Sequence, residues 1–180
     1  MIKLHRSVIF VAINNIFSKE HQRCDIFIMA NTYTQLYIQI VFAVKGRQNL
    51  ISNKWKDELF KYITGIVTNE DQKLIAINGM PDHIHILIGL KPNKTLSDLV
   101  RDIKANSSRF INEKAWINGK FEWQTGFGAF TYSHSQLTNV INYIQNQEEH
   151  HKTKTFKEEY IEFLKLFNVD FKNEYIFDDV

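Results

Sequence analysis

Residues 83–90 read His-Ile-His-Ile-Leu-Ile-Gly-Leu. Side chains alternate across a β-strand, so His83, His85 and Leu87 share one face while Ile84, Ile86, Ile88 and Leu90 share the other. The isoleucine face has to rest on a hydrophobic core, and the two imidazoles then look the opposite way. The four residues before it, Gly79-Met80-Pro81-Asp82, are a turn signal. Leu74-Ile75-Ala76-Ile77 has the composition of a short strand. Residues 74–90 therefore read as a β-hairpin.

The remaining elements follow from periodicity. Residues 34–44 are rich in β-branched and aromatic types and read as a first strand, closed by the polar turn Lys45-Gly46-Arg47-Gln48. Trp55, Leu59, Ile63, Ile66 and Val67 recur at helical steps and predict a helix over 53–68. Thr95, with Asp98 three residues on, caps a helix whose apolar side is Leu96, Leu99, Val100, Ile103, Phe110 and Ile111. Ala129–Tyr132 reads as a fourth strand. Ser133 or Ser135 caps a helix running to about Glu149, with Leu137, Val140, Ile141 and Ile144 as its core face. A last helix over 156–167 packs Tyr160, Phe163, Leu164 and Phe167. The order βαββαβ with added C-terminal helices predicts an α+β, ferredoxin-like fold: an antiparallel sheet with helices on one face and the other face free.

At 180 residues the chain suits one domain. Residues 1–28 stand apart. Lys3 and Arg6 precede an apolar run from Val8 to Ile13 that resembles a weak signal peptide, but Asn14 and Asn15 interrupt it and no small-residue cleavage site follows. A regular pattern begins straight after Met29, so the division reads as an extension over 1–28, read as a non-native start, and a domain over 29–180. The single Cys24 excludes an internal disulfide and a thiolate metal cage. No apolar run approaches the ~20 residues of a membrane span, and a reducing, cytoplasmic setting fits. A net charge of +2 permits nucleic-acid binding without arguing for it.

His83-Ile84-His85 puts two imidazoles on one strand face, where both can reach one ion. By itself this spacing is also met in surface strands. Tyr143 and Gln147, four apart on a helix, are neighbours on its polar edge; Gln147 offers a neutral oxygen suited to a hard cation. His150 and His151 follow as secondary candidates, for ligation or for ending the helix at its negative pole. Arg101, Lys104 and Ser108 line one flank of the helix that begins at Leu96.

Three ordered segments resemble the single-tyrosine HUH transposase family, the small transposases of single-strand insertion sequences and their domesticated, repeat-associated relatives. They are Gly79-Met80-Pro81-Asp82-His83-Ile84-His85-Ile86-Leu87, residues 121–130 (Phe-Glu-Trp-Gln-Thr-Gly-Phe-Gly-Ala-Phe), and residues 143–151 (Tyr-Ile-Gln-Asn-Gln-Glu-Glu-His-His). The resemblance spans about 32–177. It implies a divalent ion, Mg²⁺ or Mn²⁺, held by His83, His85 and Gln147, with Tyr143 as the nucleophile that attacks a DNA phosphate. It also implies that Arg101, Lys104 and Ser108 meet DNA, that the substrate is single-stranded DNA with hairpins, and that the protein is a homodimer with shared sites. One departure is that the first strand carries Gln35 and Gln39 where relatives often carry a histidine. Two other functions are open on the same fold. One is a non-catalytic nucleic-acid binder, whose signature is exposed aromatics on the central strands. The other is a domesticated nuclease that processes repeats.

Overall fold

The computed structural model describes residues 33–172 and Ile176; the expected extension over 1–28 lies outside the described residues. Four strands, β1 (Tyr37–Ala43), β2 (Lys73–Met80), β3 (His83–Gly89) and β4 (Gly128–Tyr132), form one antiparallel sheet in the order β2-β3-β1-β4. The helices are α1 (Lys56–Asn69), α2 (Leu96–Glu113), α3 (Leu137–Gln145), α4 (Gln147–His150) and α5 (Phe156–Leu166). This is the expected α+β ferredoxin-like arrangement. Among the described residues no helix is long and apolar enough to cross a membrane.

The alternation of β3 decides which layer sits where. Ile84, Ile86 and Ile88 join Ile38, Ile40 and Phe42 of β1 against α1 (Leu59, Phe60, Ile63, Val67) and α2 (Leu99, Val100, Ile103, Ile111). Thr95 caps α2 by accepting from the Asp98 backbone N–H at 3.1 Å, which satisfies one of the donors a helix start leaves unpaired.

The opposite face is not free. Val140 and Ile144 of α3 pack on Ala76 and Leu87, while Phe156 and Leu164 of α5 pack on Val41, Ala43 and Phe130. The apolar residues at even-spaced positions of β1, Val41 and Ala43, make that second layer possible, because they need cover as much as the isoleucines do. α5 opens with a capping box, Thr155 accepting from the Glu158 N–H while Glu158 Oε2 accepts from the Thr155 N–H at 2.8 Å.

Two local devices set the β2–β3 hairpin and the helix that follows β4. Gly79 lies so close to the returning strand that a Cβ there would stand 2.3 Å from the His83 carbonyl oxygen and 2.8 Å from Ile84 Cα. Only glycine allows this approach. The helix expected to run to Glu149 is broken at Asn146 (φ −97°, ψ 27°). The break exposes the carbonyls of Ile144 and Gln145, and the Asn78 side chain of β2 donates to both, at 2.9 and 3.0 Å. The end of α3 is thereby tied to the sheet.

Candidate metal and nucleophile site

β3 carries His83 and His85 into the layer under α4 and α5, where both are fully buried (0% exposed). The ring of His83 stacks on Phe156 with centroids 3.9 Å apart and planes 11° from parallel. Its Nδ1 lies 2.7 Å from Asp82 Oδ1, the carboxylate one residue back in the hairpin turn. His85 Nδ1 lies 2.9 Å from the Gln39 side-chain amide, which also accepts a hydrogen bond from the Tyr132 hydroxyl at 3.0 Å. His151, just past α4, sets its Nδ1 2.9 Å from the Lys154 carbonyl oxygen. In all three rings the Nδ1 is engaged and the Nε2 points inward.

What they point at is Glu159 of α5, 2% exposed. Its Oε2 lies 3.7 Å from His83 Nε2, 3.4 Å from His85 Nε2 and 3.3 Å from His151 Nε2. Its other oxygen, Oε1, accepts from the Tyr143 hydroxyl and, at 3.3 Å, from Gln147 Nε2. Gln147 is itself fully buried, with Oε1 3.0 Å from His151 Nε2.

Burial dominates the electrostatics. It pushes Glu159 up to about 7, only partly offset by His83. It pushes His85 down to about 3, helped by the charges of His151 and His150. His83 is lowered by burial against the raising influence of Asp82, and His151 by burial and then by His83. Burial also works to raise Asp82, but its hydrogen bond with His83 and that residue's charge leave its carboxyl below the usual range. The histidines are thus held neutral at pH 7, the state in which imidazole binds metal.

The donor set fits a divalent cation. The Nε2 atoms of His83 and His85 and Oε2 of Glu159 are buried and without a hydrogen-bond partner, and orphaned polar atoms in a protein interior are costly. One ligand atom from each of His83, His85, His151 and Glu159 lies within 4.8 Å of every other. His83 and His151 also set their far nitrogen against a carboxylate and a backbone carbonyl, as metal-ligating histidines do, while His85 Nδ1 faces the Gln39 amide nitrogen.

The expected site residues divide into those this arrangement gathers and those it leaves apart. His83, His85, Gln147 and His151 converge, and Tyr143 reaches them through Glu159. His150 is more peripheral, its Nε2 3.7 Å from Glu159 Oε1. Arg101, Lys104 and Ser108 belong to α2, which packs on the isoleucine face across the sheet. Arg101 pairs with Asp98 and Asp102 at 2.5 and 3.1 Å. Lys104 Nζ donates to the carbonyls of Gln124 and Gly126 at 2.5 and 2.6 Å, and Ser108 Oγ donates to the Lys104 carbonyl at 2.8 Å. Glu159, Asp82 and Gln39 went unrecognised as site residues in the sequence. The signal for Glu159 was a carboxylate inside an apolar stripe, three residues after Phe156 and four before Phe163.

Two cavities border the cluster. A groove of about 1130 Å³ runs past Asp82 and His151 and is lined by Arg47, Ser52, Lys152 and Lys154. A second cavity of about 460 Å³ lies against Tyr143, His150, Glu159 and Phe163.

Sheet order and histidine pair define an α+β domain of the kind found in solved transposases. The chain belongs to the IS200-like transposase family, whose model, described as "Transposase IS200 like", matches residues 32–147. It is 25% identical over 122 residues to the ISDra2 transposase TnpA of Deinococcus radiodurans, covering 64% of this chain and 86% of that protein. A crystal structure of a putative transposase from Deinococcus radiodurans R1 superposes with a TM-score of 0.52 at 26% identity, covering 66% of this chain and 94% of that one. A REP-associated tyrosine transposase bound to a REP hairpin shares the fold, with a TM-score of 0.53 at 15% identity over 67% of this chain and 72% of that one. The family match takes in His83, His85, Tyr143 and Gln147 and ends before His150, His151 and Glu159.

Proposed function

We propose that this transposase cuts and rejoins single-stranded DNA through a covalent bond between Tyr143 and a 5′ phosphate. The observation that carries the reading is the meeting of two groups on one carboxylate: the Tyr143 hydroxyl on one oxygen of Glu159, and the orphaned Nε2 atoms of His83 and His85 on the other.

His83, His85 and Gln147 would hold a divalent ion, Mg²⁺ or Mn²⁺, which would supply Lewis-acid polarisation of the scissile phosphate. Tyr143 provides the nucleophile. Its oxygen bonds to phosphorus as the bond from phosphorus to the 3′ oxygen breaks. The phenolic proton passes to Oε1 of Glu159, already its acceptor, and a proton from solvent ends on the departing 3′ oxygen. The phosphotyrosine bond keeps the energy of the phosphodiester, so attack by a 3′ hydroxyl reverses the step and rejoins DNA. Tyr132 is the weaker nucleophile, because burial pushes its hydroxyl up to about 12.

The substrate in this reading is single-stranded DNA bearing a hairpin, and the working unit a homodimer. The exposed guanidinium of Arg101 is the DNA contact proposed on α2, with Lys104 and Ser108 beside it. Arg101→Ala should lower the slope of log affinity against log salt by roughly 0.7 on a single strand, one phosphate contact. For the reaction itself the test is His85→Ala, with labelled hairpin DNA and Mn²⁺. Loss of cleavage is expected; cleavage at the wild-type rate, or cleavage surviving excess EDTA, overturns the reading.

A further inference from the structure

We propose that His151 and Glu159 are also direct ligands of the metal centre, beside His83, His85 and Gln147, so that three imidazoles and a carboxylate suit it to a first-row transition ion. The inference rests on the placement of a metal at His83 and His85 and extends that site to two residues beyond the family match.

The ligand atoms converge at the spacing of a coordination shell. With metal–nitrogen and metal–oxygen bonds of about 2.0–2.2 Å, neighbouring ligand atoms on one ion stand roughly 3.0–3.5 Å apart. Oε2 of Glu159 stands 3.7, 3.4 and 3.3 Å from the Nε2 atoms of His83, His85 and His151. Those separations are close to what one shared ion requires, and no two ligand atoms of the group lie more than 4.8 Å apart.

Hydrogen bonding points the same way. The Lys154 carbonyl can only accept, so the His151 Nδ1 facing it at 2.9 Å carries the proton. That leaves a lone pair on Nε2, aimed at Gln147 Oε1 and Glu159 Oε2, both acceptors. The same holds for His83, whose Nδ1 faces the Asp82 carboxylate. Lone pairs facing carboxylate and amide oxygens repel unless a proton or a cation stands between them, and a single proton on Glu159 serves one of the three nitrogens where a cation serves all. For His85 the partner is an amide whose oxygen and nitrogen can exchange places. Turning the Gln39 oxygen toward Nδ1 frees Nε2 of His85 for the ion and directs the amide N–H to the Tyr132 hydroxyl.

Three imidazoles change the choice of ion. Magnesium prefers an all-oxygen shell, whereas imidazole favours manganese less than cobalt or zinc, in the usual first-row order. The site should therefore bind Co²⁺ and Zn²⁺ more tightly than Mn²⁺, and Mn²⁺ more tightly than Mg²⁺.

The test is calorimetric titration of the full chain with Mn²⁺ and with Co²⁺, together with the visible absorption of the cobalt form. The variants are His85→Ala, His151→Ala and Glu159→Gln, the last keeping the shape of the side chain. Loss of a direct ligand should weaken binding by at least about 100-fold, beyond the roughly 10–100-fold cost of an outer-shell partner. The cobalt bands should also shift in each variant. If His85→Ala loses the metal while His151→Ala and Glu159→Gln bind as wild type with unchanged cobalt bands, this inference fails and the His83–His85 site stands. If wild type binds none of these ions, both fail. Circular dichroism and thermal unfolding of the metal-free variants separate a lost ligand from a lost fold.

Discussion

The hydroxyl of Tyr143 donates to Oε1 of Glu159, and the other oxygen of that carboxylate sits 3.4 Å from His85 Nε2. One side chain thus spans the distance between the proposed nucleophile on α3 and the histidine face of β3. It comes from α5, which in this proposal takes part in the chemistry as well as covering the sheet.

The Tyr143 ring packs edge-on to His85, His150 and Phe163, at centroid distances of 6.0, 5.1 and 5.7 Å. Tyr143→Phe keeps those contacts and removes only the oxygen. The variant should fold, with a loss of about 1 kcal/mol for one hydrogen bond, and should bind hairpin DNA without forming a covalent adduct. Differential scanning calorimetry and a gel-shift assay check both halves.

Gly79 is the point where the hairpin that aims His83 is tightest. In Gly79→Ala the new methyl meets backbone atoms, the His83 oxygen and Ile84 Cα, which cannot rotate away. The expected cost is about 1–3 kcal/mol, the usual range for overpacking, with metal affinity reduced because His83 moves with its carbonyl. Urea unfolding and a metal titration read the two effects; wild-type stability would show that the strands separate freely.

The hairpin, both β3 faces and the long helices were legible because they rest on local periodicity: alternation along a strand and a three-to-four step along α1 and α2. The second layer was not legible. His83 and His85 were expected to be open on a free face, yet their burial depends on α5 folding back over β1, a contact between residues more than a hundred positions apart. Glu159 escaped for the same reason, since a carboxylate three residues into a helix reads as a cap or a solvated charge until its neighbours in space are known. The departure at Gln39 was visible in the sequence, but its role was not: it holds His85 from a neighbouring strand, and Tyr132 holds it in turn. The Asn146 break has no local signature, because its stabilising partner is Asn78 on β2.

Asn78 donates to the last two carbonyls of α3, one turn from Tyr143. Asn78→Ala removes both bonds and leaves the end of α3 free to shift. We expect a stability loss of about 1–3 kcal/mol and a fall in cleavage rate larger than any fall in hairpin affinity. Equal losses in rate and affinity would mean that Asn78 supports the fold alone.

Lys104 gives a pH dependence independent of the metal site. Burial lowers it to about 8 from an ordinary 10.5, so the folded chain gives up this proton before the unfolded chain does. Between those values the unfolded state binds more protons, and the Lys104 contribution to stability rises with pH; below pH 8 its buried charge is a constant cost. Lys104→Met should remove that rise. The urea midpoint of wild type relative to the variant should therefore climb between pH 8 and 10.5, and a flat difference would contradict the assignment.

The central claim is that Tyr143 becomes joined to DNA. Its most direct test is to incubate the full chain with a hairpin-bearing single strand and Mn²⁺, trap the covalent product, digest it and map the modified peptide by mass spectrometry. The account predicts a nucleotide remnant on Tyr143, absent when EDTA is added and absent from Tyr143→Phe. A remnant on Tyr132 or any other residue, or an adduct that forms equally well in Tyr143→Phe, would contradict it.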